Sequence, residues 1–170
     1  MRKPVIGVMG PNVPTERDDK NARELGKMIA QRGWVLLSGG RKAGVMDTVS
    51  EAAQKAGGLV VGVLPGSDAS DASDFLDIAI VTDMGSARNN INVLSSDVVI
   101  ACGMGSGTAS ELALAIKANK DVILLSDHEE SKTFFKTLKP ARVFEAASAA
   151  DAVELVERLL EKRMAQKHVQ

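Results

Sequence analysis

The sequence predicts an α/β fold: a three-layer Rossmann-like domain with a mainly parallel sheet covered by helices on both faces. Three observations carry that prediction. Short runs such as PVIGVMG (4–10), DVVIACG (97–103) and DVILL (121–125), the last two after an opening Asp, are apolar throughout rather than alternating, the pattern of strands buried on both faces. Segments with apolar residues at helical spacing lie between them. Most of the apolar runs end in glycine or small polar residues, the chemistry of a strand turning into a helix.

The elements follow in order. After the strand at 4–10, residues 18–33 place Ala22, Leu25, Ile29 and Ala30 on one helical face, and Gly33 closes it. WVLLSGG (34–40) reads as a strand, GVMDTVSEAAQKAGG (44–58) as a helix and LVVGVLP (59–65) as a strand. A loop rich in Asp and Ser leads to a strand at 78–82 and a helix over 86–95. The strand at 97–103 feeds a helix over 108–118, followed by the strand at 121–125, a helix around 129–138 and a short strand near 142–145. In the terminal helix, 149–163, Val153, Val156, Leu159 and Leu160 oppose Glu154, Glu157, Arg158 and Glu161, so it packs on the sheet. No linker or shift in composition divides the 170 residues, which are expected to form one domain with a frayed tail at 164–170.

Composition limits the function. Apolar residues make up 45% and charged residues 25%, and the net charge of -1 gives no global basic bias toward nucleic acid. No apolar run approaches the ~18 residues of a membrane span. Met1 to Lys3 leads straight into a strand without a signal peptide, and the lone Cys102 has no internal disulfide partner, so a cytoplasmic protein is expected.

Ligands of such sheets lie beyond the carboxyl ends of the strands, near a switch in strand order. Four strand ends are polar or glycine-rich: GPNVP (10–14), SGGRKAG (38–44), TDMGSARNN (82–90) and GMGSGTASE (103–111). The first turn lacks GxGxxG, and Ser38-Gly39-Gly40 stands where an NAD-binding fold has its acidic residue, so NAD is not expected. No GxxxxGK[ST] run is present, which excludes a P-loop NTPase. In the fourth turn, Gly103, Gly105 and Gly107 let the backbone approach an anion at a helix N-terminus, with Ser106 and Thr108 adding hydroxyls. Arg41, Lys42 and Arg88 on neighbouring strand ends would add charge. The alternative is that the glycines only shape a tight turn and the cations only face solvent.

Glu111 also has two readings. Thr108-x-x-Glu111 is a capping box, which by itself accounts for both residue types. Otherwise Glu111 is a carboxylate facing the anion pocket. His128 lies in a polar loop, His168 in the tail and Cys102 at the end of a buried strand, and no metal-ligand spacing occurs.

GGRKAGVM (39–46), GSARNNINVLSSD (85–97) and GMGSGTASE (103–111) together resemble the Rossmann-like superfamily once described as lysine decarboxylases. That superfamily includes the Lonely guy cytokinin phosphoribohydrolases and the molybdenum cofactor carrier proteins. The resemblance runs from about Pro4 to Leu125. The phosphoribohydrolases carry PGGxGTxxE and MxxRK, whose Arg and final Glu are matched by Arg88 and Glu111. Here Gly103 replaces the Pro, Met104 the first Gly, Gly85 the Met and Asn89 the Lys. VIGVMGP, GWVLLSGGRKAGVM, GVLPG, GSARNNIN and GMGSGTASELALA instead are similar almost phrase by phrase to the carrier proteins.

That resemblance implies a homo-oligomer, dimer or tetramer, that binds and protects molybdenum cofactor (molybdopterin) without transforming it, for delivery to molybdoenzymes. It implies no catalytic residues; the alternative, a nucleoside 5'-monophosphate phosphoribohydrolase, would use Arg88 and Glu111. Anionic oxygens are expected against Gly105, Ser106, Gly107 and Thr108, with Arg41, Lys42 and Arg88 neutralising charge and Asn89, Asn90 and Glu111 reading the pterin. Gly10, Gly39, Gly40, Ser86, Gly103 and Met104 complete the expected contacts. The same surface would suit a nucleotide as a small anionic ligand, and neither a metal site, a nucleic acid nor a membrane is expected.

Overall fold

The computed structural model describes residues 2–167. Among them the strands are β1 (Val5–Met9), β2 (Val35–Ser38), β3 (Leu59–Leu64), β4 (Ile78–Val81), β5 (Val98–Cys102), β6 (Asp121–Leu125) and β7 (Val143–Glu145). The helices are α1 (Glu16–Gln31), α2 (Gly44–Lys55), α3 (Asn89–Ser95), α4 (Ser106–Lys117), α5 (Glu129–Leu138) and α6 (Ala149–Lys167). A 3-10 turn, Gly85–Arg88, leads into α3.

Every paired strand is parallel, in the order β4-β3-β2-β1-β5-β6-β7. The order reverses between β1 and β5, which leaves the two strands' carboxyl ends diverging into separate turns at Gly10 and Gly103. All five residues of β5 and of β6 are buried; nine of the ten are apolar, and Asp121, which opens β6, is buried in ion pairs with Arg142 and Arg163. α1, α2 and α6 cover one face around Ile6, Val8, Leu25, Ile29, Val49 and Val153. α3, α4 and α5 pack on the other around Met9, Leu37, Val93, Val99, Leu112 and Phe135.

Several boundaries differ from the expected ones for local reasons. α1 starts two residues early because Thr15 caps it: Thr15 Oγ1 accepts from the Asp18 amide and Asp18 Oδ2 accepts from the Thr15 amide, each at 3.1 Å. The helix expected over 86–95 divides into the 3-10 turn and α3, and α4 begins at Ser106 rather than at 108. α6 continues through Lys167, so residues 164–167 of the expected frayed tail are helical, while 168–170, with His168, lie outside the described residues. β4 breaks the burial rule. Its IAIV sequence reads as buried, yet all four residues are exposed at the sheet edge. Trp34 sits just before β2, at the end of the sheet away from the glycine-rich turns.

Candidate functional site

The turns after β1, β2, β3 and β5 and the 3-10 turn enclose a cleft of about 260 Å³ at the strand switch. Gly10, Gly39, Arg41, Ser86, Arg88, Asn89, Ser106, Gly107, Thr108 and Glu111 of the expected residues line it. Met9, Asn12, Met46, Pro65 and Gly85 line it as well, without having been singled out. Asn12 belongs to the GPNVP turn and carried a signal. Met46 reads only as a core residue of α2, and Pro65 only as the end of a strand.

The glycines divide by cause. Gly103 has φ +81°, and a Cβ there would lie 2.7 Å from the Asp18 carboxyl carbon, so the turn needs it whatever binds nearby. A Cβ on Gly107 would meet nothing within 4 Å. Neither backbone conformation nor packing requires glycine at 107, and its bare Cα faces the cleft. Gly39 has a third role: a Cβ would sit 2.8 Å from Arg88 Nη2 and 2.6 Å from Met46 Sδ, so its absence lets the guanidinium pass.

Arg88 and Glu111 form the deep wall. Arg88 is 8% exposed; Nη1 donates to Asn89 Oδ1 at 2.6 Å and Nη2 to the Gly39 carbonyl at 3.3 Å. Burial pulls its pKa below the usual arginine value, against the attraction of Glu111. Glu111 is 6% exposed, with Oε1 accepting from Asn92 Nδ2 at 2.9 Å and lying 3.6 Å from Arg88 Nη1. Burial raises its pKa, opposed by Asn92 and Arg88, so this carboxyl holds a proton more readily than a solvated one.

The capping box is not formed. Gly105 is the N-cap of α4, which puts Thr108 inside the first turn, and Glu111 turns to Asn92 rather than to the Thr108 amide. The helix starts three residues sooner than a cap at Thr108 would place it, and the buried Asn92 side chain supplies the donor to the carboxyl instead. Thr108 Oγ1 is left buried with no partner, as are Arg88 Nε and Asn92 Oδ1. Among the described residues these are the buried side-chain polar atoms without partners, and all belong to this corner. An unsatisfied buried polar group typically costs about 1–3 kcal/mol, so three together mark a place where a ligand or water completes the bonding.

The other expected residues lie elsewhere. Lys42 pairs with Asp74 of the loop between β3 and β4 and does not line the cleft. Gly40, at φ +72°, packs its backbone against Gly62. Gly103 and Gly105 shape the turn, Met104 packs on the α4 side of the core and Asn90 is exposed. Arg41 does line the cleft, with Nε donating to Asp71 Oδ2 at 2.8 Å. Cys102 is fully buried, donates to the Asp18 carbonyl at 3.3 Å and has its thiol pKa pushed up by burial, so it belongs to the core. His128 precedes α5 and does not line the cleft.

Residues 3–153 match the SLOG cluster4 family. The structure superposes on the molybdenum cofactor binding protein from the phototrophic bacterium Rippkaea orientalis with TM-score 0.93 and 55% identity, covering 94% of this chain and 99% of that one. The Moco carrier protein from Chlamydomonas reinhardtii gives TM-score 0.89 and 51% identity over 95% of this chain and 99% of that chain. A cytokinin riboside 5'-monophosphate phosphoribohydrolase of Mycobacterium tuberculosis is 40% identical over 93 residues, which is 54% of this chain and half of the enzyme.

Proposed function

The chain belongs to the SLOG cluster4 family, and from that premise we propose that it binds and carries molybdenum cofactor. In this reading it protects the cofactor in the cytoplasm as a homo-oligomer and delivers it to molybdoenzymes without chemical turnover. The observation that carries the reading is the pair of buried, unpartnered donors, Thr108 Oγ1 and Arg88 Nε, on the wall of a cleft into which the first turn of α4 opens.

The residues suit this ligand. Molybdopterin ends in a phosphate, which the amides of Ser106, Gly107 and Thr108, the positive end of the α4 dipole and the cations Arg41 and Arg88 would hold. Its pterin offers amide and amine edges, which Asn89 and Glu111 match as donor and acceptor. Met9 and Met46 supply polarisable thioethers on the cleft wall, suited to contact with a flat heterocycle. The likeness to two molybdenum cofactor proteins, each spanning 99% of that protein's chain, supports the same choice.

The test is anaerobic incubation with molybdenum cofactor, gel filtration and measurement of the pterin retained and protected from oxidation. Parent protein is expected to retain it and Thr108→Ala to lose most of it; no retention by the parent overturns the reading. Arg88 and Glu111 meeting in one cleft favours a second reading, cleavage of the N-glycosidic bond of a nucleoside 5'-monophosphate. Adenine released from AMP, and lost in Glu111→Ala, would establish that reading instead.

A further inference from the structure

The end of the sheet opposite the cleft holds a cluster of cations that the cleft does not use. Asp121, the first residue of β6, is buried, and two guanidiniums converge on its carboxylate. Arg163 of α6 donates from Nη2 and Nε to Oδ2 at 2.9 and 3.2 Å, and Arg142, just before β7, donates from Nη1 to Oδ1 at 2.9 Å. One guanidinium fork neutralises one carboxylate, so the second is surplus charge. Arg163 Nη1 is taken up by the Asp97 carbonyl at 2.5 Å, whereas Arg142 Nε and Nη2 have no partner among the described residues. Lys162, exposed on α6, has no ion pair among the described residues either.

These side chains line a recess of about 180 Å³ between α6 and the turn into β7. Three cations face one carboxylate there, and Phe144 and Leu159 supply an apolar wall on which charge is poorly screened. Lys120 registers the same imbalance. Its Nζ donates to the Leu94 and Ser96 carbonyls at 2.8 and 2.7 Å, and its pKa lies below the usual lysine value, first through burial and then through the charge of Arg163.

We propose that this recess is a second anion site, which binds a phosphate group, free or at the end of a small metabolite, between Arg142, Lys162 and Arg163. Guanidinium forks and a lysine point charge suit phosphate oxygens. Asp121 holds both guanidiniums in place before the anion arrives, so little side-chain freedom is lost on binding. The volume lies below the ~300–1,000 Å³ of sites that enclose drug-sized ligands, so the recess takes an end group rather than a whole cofactor. β6 runs from Asp121 to Leu125, whose carbonyl accepts from the Gly103 amide in the glycine-rich turn. At ~3.3 Å per residue the two sites are on the order of 15 Å apart, at opposite ends of the sheet, so each fills independently of the other.

The experiment is calorimetric titration of the full chain with inorganic phosphate and, separately, with glycerol phosphate, in about 0.15 M sodium chloride to screen exposed charge. Because the cleft also attracts anions, the titrations are repeated on Arg41→Ala with Thr108→Ala, which lacks two of its anion contacts. That variant is expected to keep a site with a dissociation constant below about 1 mM. In the same background Lys162→Ala should weaken it about tenfold and Lys162→Arg restore most of the loss. Arg142→Gln should weaken it similarly, with Asp121 still paired to Arg163. Binding of both probes assigns the site to the phosphate group itself, and binding of one assigns it to the free ion or to the ester. Loss of all binding in the cleft variant, or an affinity that Lys162→Ala and Arg142→Gln both leave unchanged, overturns the proposal.

Discussion

Gly107→Ala should stabilise the protein while weakening its ligand binding. The residue sits in the first turn of α4, and an added Cβ would meet nothing within 4 Å. Glycine within a helix is about 0.5–1 kcal/mol less favourable than alanine, and a first-turn position takes the lower part of that range. A gain of roughly 0.5 kcal/mol raises the melting temperature of a chain this size by ~1–2 °C and moves the urea midpoint upward without changing its slope. The same methyl narrows the 260 Å³ cleft at the point where an anion would reach the helix amides. Loss of one charge-assisted contact costs ~1.5–3 kcal/mol, so pterin retention should fall by ten- to a hundredfold. Urea titration and anaerobic retention, run on the same preparation, read the two effects separately. A more stable variant with undiminished retention would refute the placement of the ligand at α4, and a less stable one would refute the claim that packing leaves Gly107 free.

Gly103→Ala is the contrasting case: positive φ and the Asp18 contact should cost at least ~2 kcal/mol, read by urea denaturation. Thr108→Val removes a buried hydroxyl without a partner, so stability should hold or rise by up to about 1 kcal/mol while retention falls roughly tenfold. Arg41→Ala should lower retention roughly tenfold and Lys42→Ala by less than about twofold, because only Arg41 lines the cleft. Glu111 has a folded pKa above its unfolded one, so the folded state binds the proton more tightly and stability falls as pH rises from the ordinary glutamate value through the raised one. Glu111→Gln lacks that titration and should gain stability relative to the parent across the same window; a difference that stays constant as pH rises above the ordinary glutamate value would contradict this.

Fold class, and the edge of the sheet that carries the site, were legible in the order of residues alone. Strands apolar throughout, separated by helices of 3.6 periodicity, leave few topologies, and GMGSGTASE and GSARNN mark the turns by residue type alone. Contacts between residues distant in the chain became visible with the fold. Thr108 and Glu111 fit a capping box locally, but Asn92, nineteen positions from Glu111, captures the carboxyl and leaves the hydroxyl unpartnered. Lys42 lies next to Arg41 in sequence, yet an acidic residue of the β3–β4 loop draws it away from the cleft. The exposure of β4 was hidden for the same reason: Ile78 to Val81 read as buried from composition, and whether a helix covers a strand depends on where the chain crosses the sheet, which no local pattern records.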